Sequence, residues 1–312
     1  MAMAIPVDPK AWRVGLVGYG EVGRILAEDL CAQGVAVAAW DLKLASPASA
    51  APLRDHAGRL GVVLATSAAD LAARGDLIIS AVTASQTVPV AADCAPAIRP
   101  GAFFLDFNSA SPGAKRRAAV LLDGAGGRYV EGAVMTSIPP HRIRVPLLLG
   151  GASAAVLAPL LNALGFDAKV ASDRLGVASA TKMCRSVMIK GLEAMVIESF
   201  TAARHHGVED AVLASLHETF PGVDWEEQGA YFFQRVIEHG RRRSEEVREV
   251  AETVREAGLT PHSAAGTAER QAHIADLADA GVFGTRGTPG FARSTNWRTE
   301  ADRLLAAARN KD

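Results

Sequence analysis

Short apolar runs alternate with longer amphipathic stretches over the first half of the chain. Runs at 12–17, 35–40, 61–65, 77–82, 102–106, 128–134 and 146–149 predict strands. Stretches near 20–33, 67–74, 86–97, 113–124 and 153–164 predict helices. Strand, helix and strand in repeated order imply parallel strands joined by right-handed crossovers. Runs such as LIISAV and AFFLDF suit strands covered on both faces. The pattern predicts a doubly wound sheet.

After about residue 170 the period changes. No proline interrupts 175–206, where residues recur at helical spacing. At 1.5 Å per residue such a helix is roughly 45–50 Å long, too long for one small domain. Helical patterning continues over 208–280, and the charged stretch EHGRRRSEEVREVAETVREAG ends at Gly258, ahead of Pro261. From Gly281 the chain is rich in Gly, Thr and Arg and predicts irregular structure up to a short helix near 299–309. The expected organisation is an α/β domain over 1–172 and an all-α domain over 173–312 that starts with the long helix 175–206.

Composition narrows the partners. Of 312 residues 49% are hydrophobic, enough for about two domains with sizeable cores. The formal charge of −1 offers no attraction for nucleic acid or an anionic membrane. Cys31, Cys94 and Cys184 are too scattered for a disulfide framework or a zinc cluster, which fits a reducing cytoplasm. The opening MAMAIPVDPK has no basic start followed by an apolar stretch, so no signal peptide is read. Residues 145–166 are uncharged for long enough to suggest a membrane span, but Gly150, Gly151 and Pro159 break them. A strand at 146–149 and a buried helix at 153–164 explain the stretch better.

The first chemistry lies in GLVGYGEVG (15–23). Gly18, Gly20 and Gly23 have G-x-G-x-x-G spacing, between a predicted strand and an amphipathic helix whose N-terminus would face a phosphate. Tyr19, Glu21 and Val22 complete the loop, and Val82 and Thr83, after strand 77–82, are counted with the cofactor residues. The next strand ends in Asp41, where a carboxylate can accept hydrogen bonds from the adenosine ribose. Asp41 would repel a 2′-phosphate and favour NAD; Lys43 nearby leaves NADP open.

Several dehydrogenase designs drop out. No tyrosine has the Tyr-x-x-x-Lys partner of the short-chain type, and neither cysteines nor histidines have metal spacing, so no metal is expected. His205 and His206, near a helix end, face solvent. The segment 176–200 puts Lys182, Ser186, Lys190 and Glu193 on nearly one helical face. Met183, Val187, Met188, Leu192 and Met195 are expected to cover the opposite, buried side. Cys184 has no activating base in sequence and reads as packing.

Gly176, Ala178 and Lys182 form a G-x-A-x-x-x-K segment downstream of GYGEVG, and in this the chain resembles the β-hydroxyacid dehydrogenases, the superfamily of 3-hydroxyisobutyrate and 6-phosphogluconate dehydrogenases. DFNSASP (106–112) is similar to that family's D-x-S-T-x-x-P motif, with Asn108 and Ser109 in the polar slots. VEGAVMTSIPP (130–140) stands at its substrate loop, and ESFTAARHHGV (198–208) resembles its E-A-x-x-x-A-x-x-x-G-V segment. The resemblance implies an N-terminal Rossmann domain, a long connecting helix and an all-α C-terminal domain that builds a homodimer. It also implies Lys182 as general acid/base. Hydride transfer at a carbinol carbon requires a matched proton transfer at its oxygen, which lysine performs when burial or a cation lowers its pKa. Arg185 is such a cation, and the adjoining apolar helix face supplies partial desolvation.

Departures from the family pattern mark an outlying branch. Met135, Thr136 and Ser137 stand where a Ser-Gly-Gly usually holds a carboxylate, so Thr136 and Ser137 would donate instead. Arg185 and Ser186 occupy the place of an amide side chain, and RRRSEEV blurs a Lys-Asp-Leu motif. His141, Arg142, Arg144, Lys182 and Arg185 gather basic charge suited to a small anionic substrate. The expected activity is NAD(P)-dependent interconversion of a small β-hydroxy acid, or similar alcohol, and its carbonyl partner. The rivals are an imine reductase, a 6-phosphogluconate-type oxidative decarboxylase and a non-catalytic dinucleotide sensor.

Overall fold

The computed structural model describes residues 5–288, 291 and 296–309. Outside them lie 1–4, the start of the segment read for a signal peptide, parts of the tail predicted irregular (289–290 and 292–295), and 310–312. The chain divides into two compact units between Met183 and Cys184.

In the first unit the elements are β1 (Arg13–Val17), α1 (Glu21–Cys31), β2 (Ala36–Trp40), α2 (Pro47–Leu60), β3 (Val63–Leu64), α3 (Ala68–Arg74), β4 (Leu77–Ser80), α4 (Thr87–Cys94), β5 (Phe103–Asp106), α5 (Pro112–Gly124), β6 (Arg128–Val134), α6 (Ile138–His141), β7 (Pro146–Gly150), α7 (Ala154–Ala163) and β8 (Asp167–Ser172). One sheet has the order β3-β2-β1-β4-β5-β6-β7-β8. Alternate side chains enter separate cores: Leu77, Ile79, Phe103 and Leu105 join one, Ile78 and Phe104 the other. That two-sided burial is why β4 and β5 are apolar throughout, and it makes the sheet doubly wound. The strands from β3 to β6 pair in parallel, so their C-terminal ends share one edge of the sheet. The order reverses between β1 and β4, where a crevice for ligands forms in such sheets.

Three features depart from the sequence pattern. β7 runs antiparallel to β6, because the connection at 135–145 is too short to carry the chain back across the sheet. α2 lies where no element is predicted: Pro47 occupies its first turn and Pro52 its interior, so the segment reads as loop although Leu53, His56 and Ala57 are buried. β8 is an edge strand with Val170 exposed, and without an apolar run it leaves no strand pattern. Residues 145–166 form β7 and α7, and no helix among the described residues is long and apolar enough to cross a membrane.

The long helix α8 (Val177–His206) contains the unit division. The boundary therefore falls inside the helix, whereas the sequence reading puts it at 172/173. The second unit continues α8 and adds α9 (Glu209–Thr219), α10 (Trp225–Glu256), α11 (His262–Asp279) and α12 (Trp297–Arg309). Its core gathers Phe200, Phe232, Phe233, Ile274 and Trp297. Here the orientation of α8 contradicts part of the sequence reading, although Met183 is buried and Leu192 packs on the core as expected. Ser186, Lys190 and Glu193 are buried, while Met188 is 72% and Met195 61% exposed. Partners on α10 explain the inward polar residues: Lys190 pairs with half-buried Glu246 at 2.5 Å and Glu193 with buried Arg243. Cys184, read as packing, is exposed.

Candidate active site

The glycine loop leaves β1 at Gly18, whose φ of +94° suits glycine, and a Cβ there would lie 2.4 Å from the Ala81 carbonyl oxygen. At Gly23 a Cβ would come 2.1 Å from the Gly18 carbonyl oxygen, so α1 can approach the loop only without a side chain. Gly20, by contrast, faces open space and caps α1 without a side-chain hydrogen bond. Backbone N–H groups at an uncapped helix start, behind a side-chain-free surface, fit a pyrophosphate. Glu21 is exposed and Val22 half-buried.

Asp41 ties β2 to this loop. One carboxylate oxygen accepts from the Tyr19 N–H at 2.7 Å and the other from the Lys43 N–H at 2.9 Å. Each oxygen keeps a second lone-pair direction for a hydroxyl donor. The Tyr19 side chain is fully buried, and its hydroxyl lies 2.8 Å from His56 Nδ1. Burial pushes the phenol up to about 12. Only its backbone faces the loop.

A second group forms at the ends of β4 and β5. Asn108 is buried; its Oδ1 accepts from the Val82 N–H at 2.8 Å and its Nδ2 donates to Ser80 Oγ at 3.0 Å. Its amide ties the two strand ends together. Val82 is half-buried and Thr83 exposed. Below Asn108, Asp106 accepts from its N–H at 2.9 Å, from Lys115 Nζ at 2.9 Å and from the Tyr129 hydroxyl at 2.7 Å. Burial, then the adjacent Asp106 carboxylate, pushes the Tyr129 phenol well up, keeping it a donor.

Ser109 follows directly, and Lys182 Nζ donates to its Oγ at 2.7 Å. Both residues are half-buried. The structure thus joins the polar slot of DFNSASP to the lysine of α8. Glu131, not singled out from sequence, holds the start of that helix: its carboxylate accepts from the N–H groups of Gly176 and Ala178 and from Ser179 Oγ. An acid within the otherwise apolar run of β6 was the available signal.

The remaining candidates lie apart. Met135 is half-buried; Thr136 and Ser137 are exposed, and their hydroxyls make no hydrogen bond among the described residues. Arg142 does not stand ready for a ligand, because it pairs with Glu28 at 2.6 Å and Asp29 at 2.8 Å. His141 and Arg144 are exposed. Arg185 is exposed and Ser186 buried, both in the second unit, where His205 and His206 are exposed as expected. No group of metal-ligating side chains occurs among the described residues.

Residues 13–166 match the family model for the NAD binding domain of 6-phosphogluconate dehydrogenase, and 203–274 match a domain of unknown function (DUF1932). A conserved hypothetical protein from Sinorhizobium meliloti 1021 is 36% identical with a TM-score of 0.73, covering 94% of this chain and 96% of its own. The chain belongs to the 3-hydroxyisobutyrate and 6-phosphogluconate dehydrogenase superfamily. A further superfamily structure, a conserved protein of unknown function noted for its similarity to 3-hydroxyacid dehydrogenases, is 30% identical with a TM-score of 0.64, over 85% of this chain and 99% of its own. The mitochondrial 3-hydroxyisobutyrate dehydrogenase of Drosophila melanogaster is 21% identical over 72% of this chain and 68% of its own. The first unit therefore carries an NAD-binding domain of this superfamily, and the glycine loop and Asp41 lie within it.

Proposed function

We propose that the protein is an NAD-dependent oxidoreductase that interconverts a small β-hydroxy acid, or a similar alcohol, and its carbonyl partner, with Lys182 as general acid/base. The 2.7 Å hydrogen bond from Lys182 Nζ to Ser109 Oγ carries this reading. It sets an amine beside a hydroxyl just past β5, whose C-terminal end shares a sheet edge with that of β1.

Backbone N–H groups of Glu21, Val22 and Gly23 hold the pyrophosphate, with Gly18 and Gly20 admitting its approach. Asp41 accepts from the adenosine ribose, and Val82 and Thr83 flank the cofactor. When bound, the nicotinamide takes or gives the hydride. Lys182 moves the matched proton at the substrate oxygen, and Ser109 orients the amine and donates to the same oxygen. Thr136 and Ser137 offer unspent hydroxyls to a carboxylate.

Exposed Met188, Ile189 and Met195 support a homodimer, since an apolar helix face of this kind is stabilised by burial against a second copy. Sedimentation at micromolar concentration tests it, and a monomer alone would count against it. A panel of hydroxy acids, alcohols and aldehydes, followed by NADH and NADPH absorbance, tests the reaction. The expected result is turnover of at least one hydroxy acid, with loss in Lys182→Ala and retained NADH binding. Near wild-type turnover in that variant would overturn the mechanism.

A further inference from the structure

Glu131 is fully buried in β6, opposite Asp106 of β5 in the sheet register. The two acids have divided duties. Asp106, neutralised by Lys115 at 2.9 Å, accepts the Asn108 N–H and so shapes the turn that presents Ser109. Glu131 holds the other half of the hydrogen-bonded pair. Its Oε1 accepts from Gly176 N–H at 2.8 Å and Ala178 N–H at 3.1 Å, and its Oε2 from Ser179 Oγ at 2.6 Å. These donors stand at the start of α8, Gly176 just before it and Ala178 and Ser179 in its first turn, about one turn ahead of Lys182. On the next strand, Gly150 leaves the space: a Cβ there would lie 2.3 Å from Glu131 Oε1.

We propose that Glu131 is a positioning residue for Lys182, its carboxylate clamping the first turn of α8 so that the amine stays on Ser109. The proposal rests on reading Lys182 as the acid/base, but its test does not. Three hydrogen bonds to one buried anion define the position and direction of a helix start more tightly than a neutral cap can. A rigid support matters because a misplacement of about 1 Å at a reacting group costs on the order of a hundredfold in rate. Glu131→Gln keeps the shape and removes the charge. Glu131→Asp keeps the charge on a shorter arm, and Ser179→Ala removes one hydrogen bond.

The measurement is the rate of Lys182 acetylation by an N-hydroxysuccinimide acetate, mapped by peptide mass spectrometry on the full chain with and without NADH. Lys169, 73% exposed, and Lys115, 1% exposed, are internal references for full access and for an intact core. Loss of one charged hydrogen bond is expected to raise Lys182 labelling about fivefold in Glu131→Gln, and about twofold in Ser179→Ala. Lys169 and Lys115 keep their wild-type rates, and Glu131→Asp lies closer to wild type than Glu131→Gln. Wild-type labelling of Lys182 in a folded Glu131→Gln, or no recovery in Glu131→Asp, overturns the proposal. If Glu131→Gln opens Lys115 as well, Ser179→Ala decides: an unchanged Lys182 rate there overturns it. Failure of the catalytic reading appears separately, as turnover retained by Lys182→Ala.

Discussion

Two lysines of α8, Lys182 and Lys190, differ in what they meet. Lys182 is half-buried and donates to a serine hydroxyl, while Lys190 is 6% exposed and bonded to the Glu246 carboxylate at 2.5 Å. Burial lowers the Lys190 pKa and Glu246 opposes the shift, so the pair is held together as a structural unit. Helical spacing alone makes the two residues look alike; their partners differ, a serine hydroxyl for Lys182 and a carboxylate on a neighbouring helix for Lys190.

The largest effect expected from that contrast is on turnover. Lys182→Ala should lower kcat by about 10²- to 10⁴-fold with NADH binding retained, as steady-state rates and NADH fluorescence titration would read. Lys190→Met should act on stability instead, costing about 2 kcal/mol through loss of one charge-assisted hydrogen bond to Glu246, which stays paired with Arg242 at 2.9 Å, seen as a lower urea midpoint. Replacing both Lys190 and Glu246 by apolar residues should recover part of the loss. Ser109→Ala is expected to lower kcat about tenfold, the scale of one hydrogen bond to a charged amine. A result as severe as Lys182→Ala would shift the proton-transfer role toward the hydroxyl.

A smaller effect is expected from the buried chain that starts at Tyr19. His56 Nε2 lies 3.0 Å from Glu28, and hydrogen bonds from His56 and then Arg142 hold the Glu28 carboxyl below its ordinary range. Folding therefore gains from Glu28 above its unfolded pKa, and the gain is lost as pH falls through the depressed folded value. The melting-temperature difference between wild type and Glu28→Gln should be full near neutrality and shrink on acidification below the ordinary glutamate range. A difference independent of pH would break this assignment.

Much of the fold was legible because it is local. Periodicity identified β1, β4, β5 and the uninterrupted α8, since apolar alternation and the absence of proline act over a few residues. The three glycines and Asp41 were legible for the same reason. α2 was hidden by Pro47 and Pro52, and β8 by its exposed edge position. At the site, Lys182 and Ser109 were found as motif residues, but the contacts of Tyr19 with His56 and of Asn108 with Val82 and Ser80 were not, because burial direction is not encoded in a loop motif. Arg142 was misread because Glu28 and Asp29 lie more than a hundred residues away along the chain.

What the sequence alone determined is the doubly wound sheet, the loop for a dinucleotide phosphate and the long helix that carries a lysine. Only the tertiary structure decided which face of α8 turns inward, which lysine meets a hydroxyl, and that Glu131 holds the helix start. Secondary structure follows from short-range sterics and periodicity. The role of a polar side chain follows from its partner and from the water it has lost, and here the partners stand 56 residues away for Lys190 and 73 for Lys182.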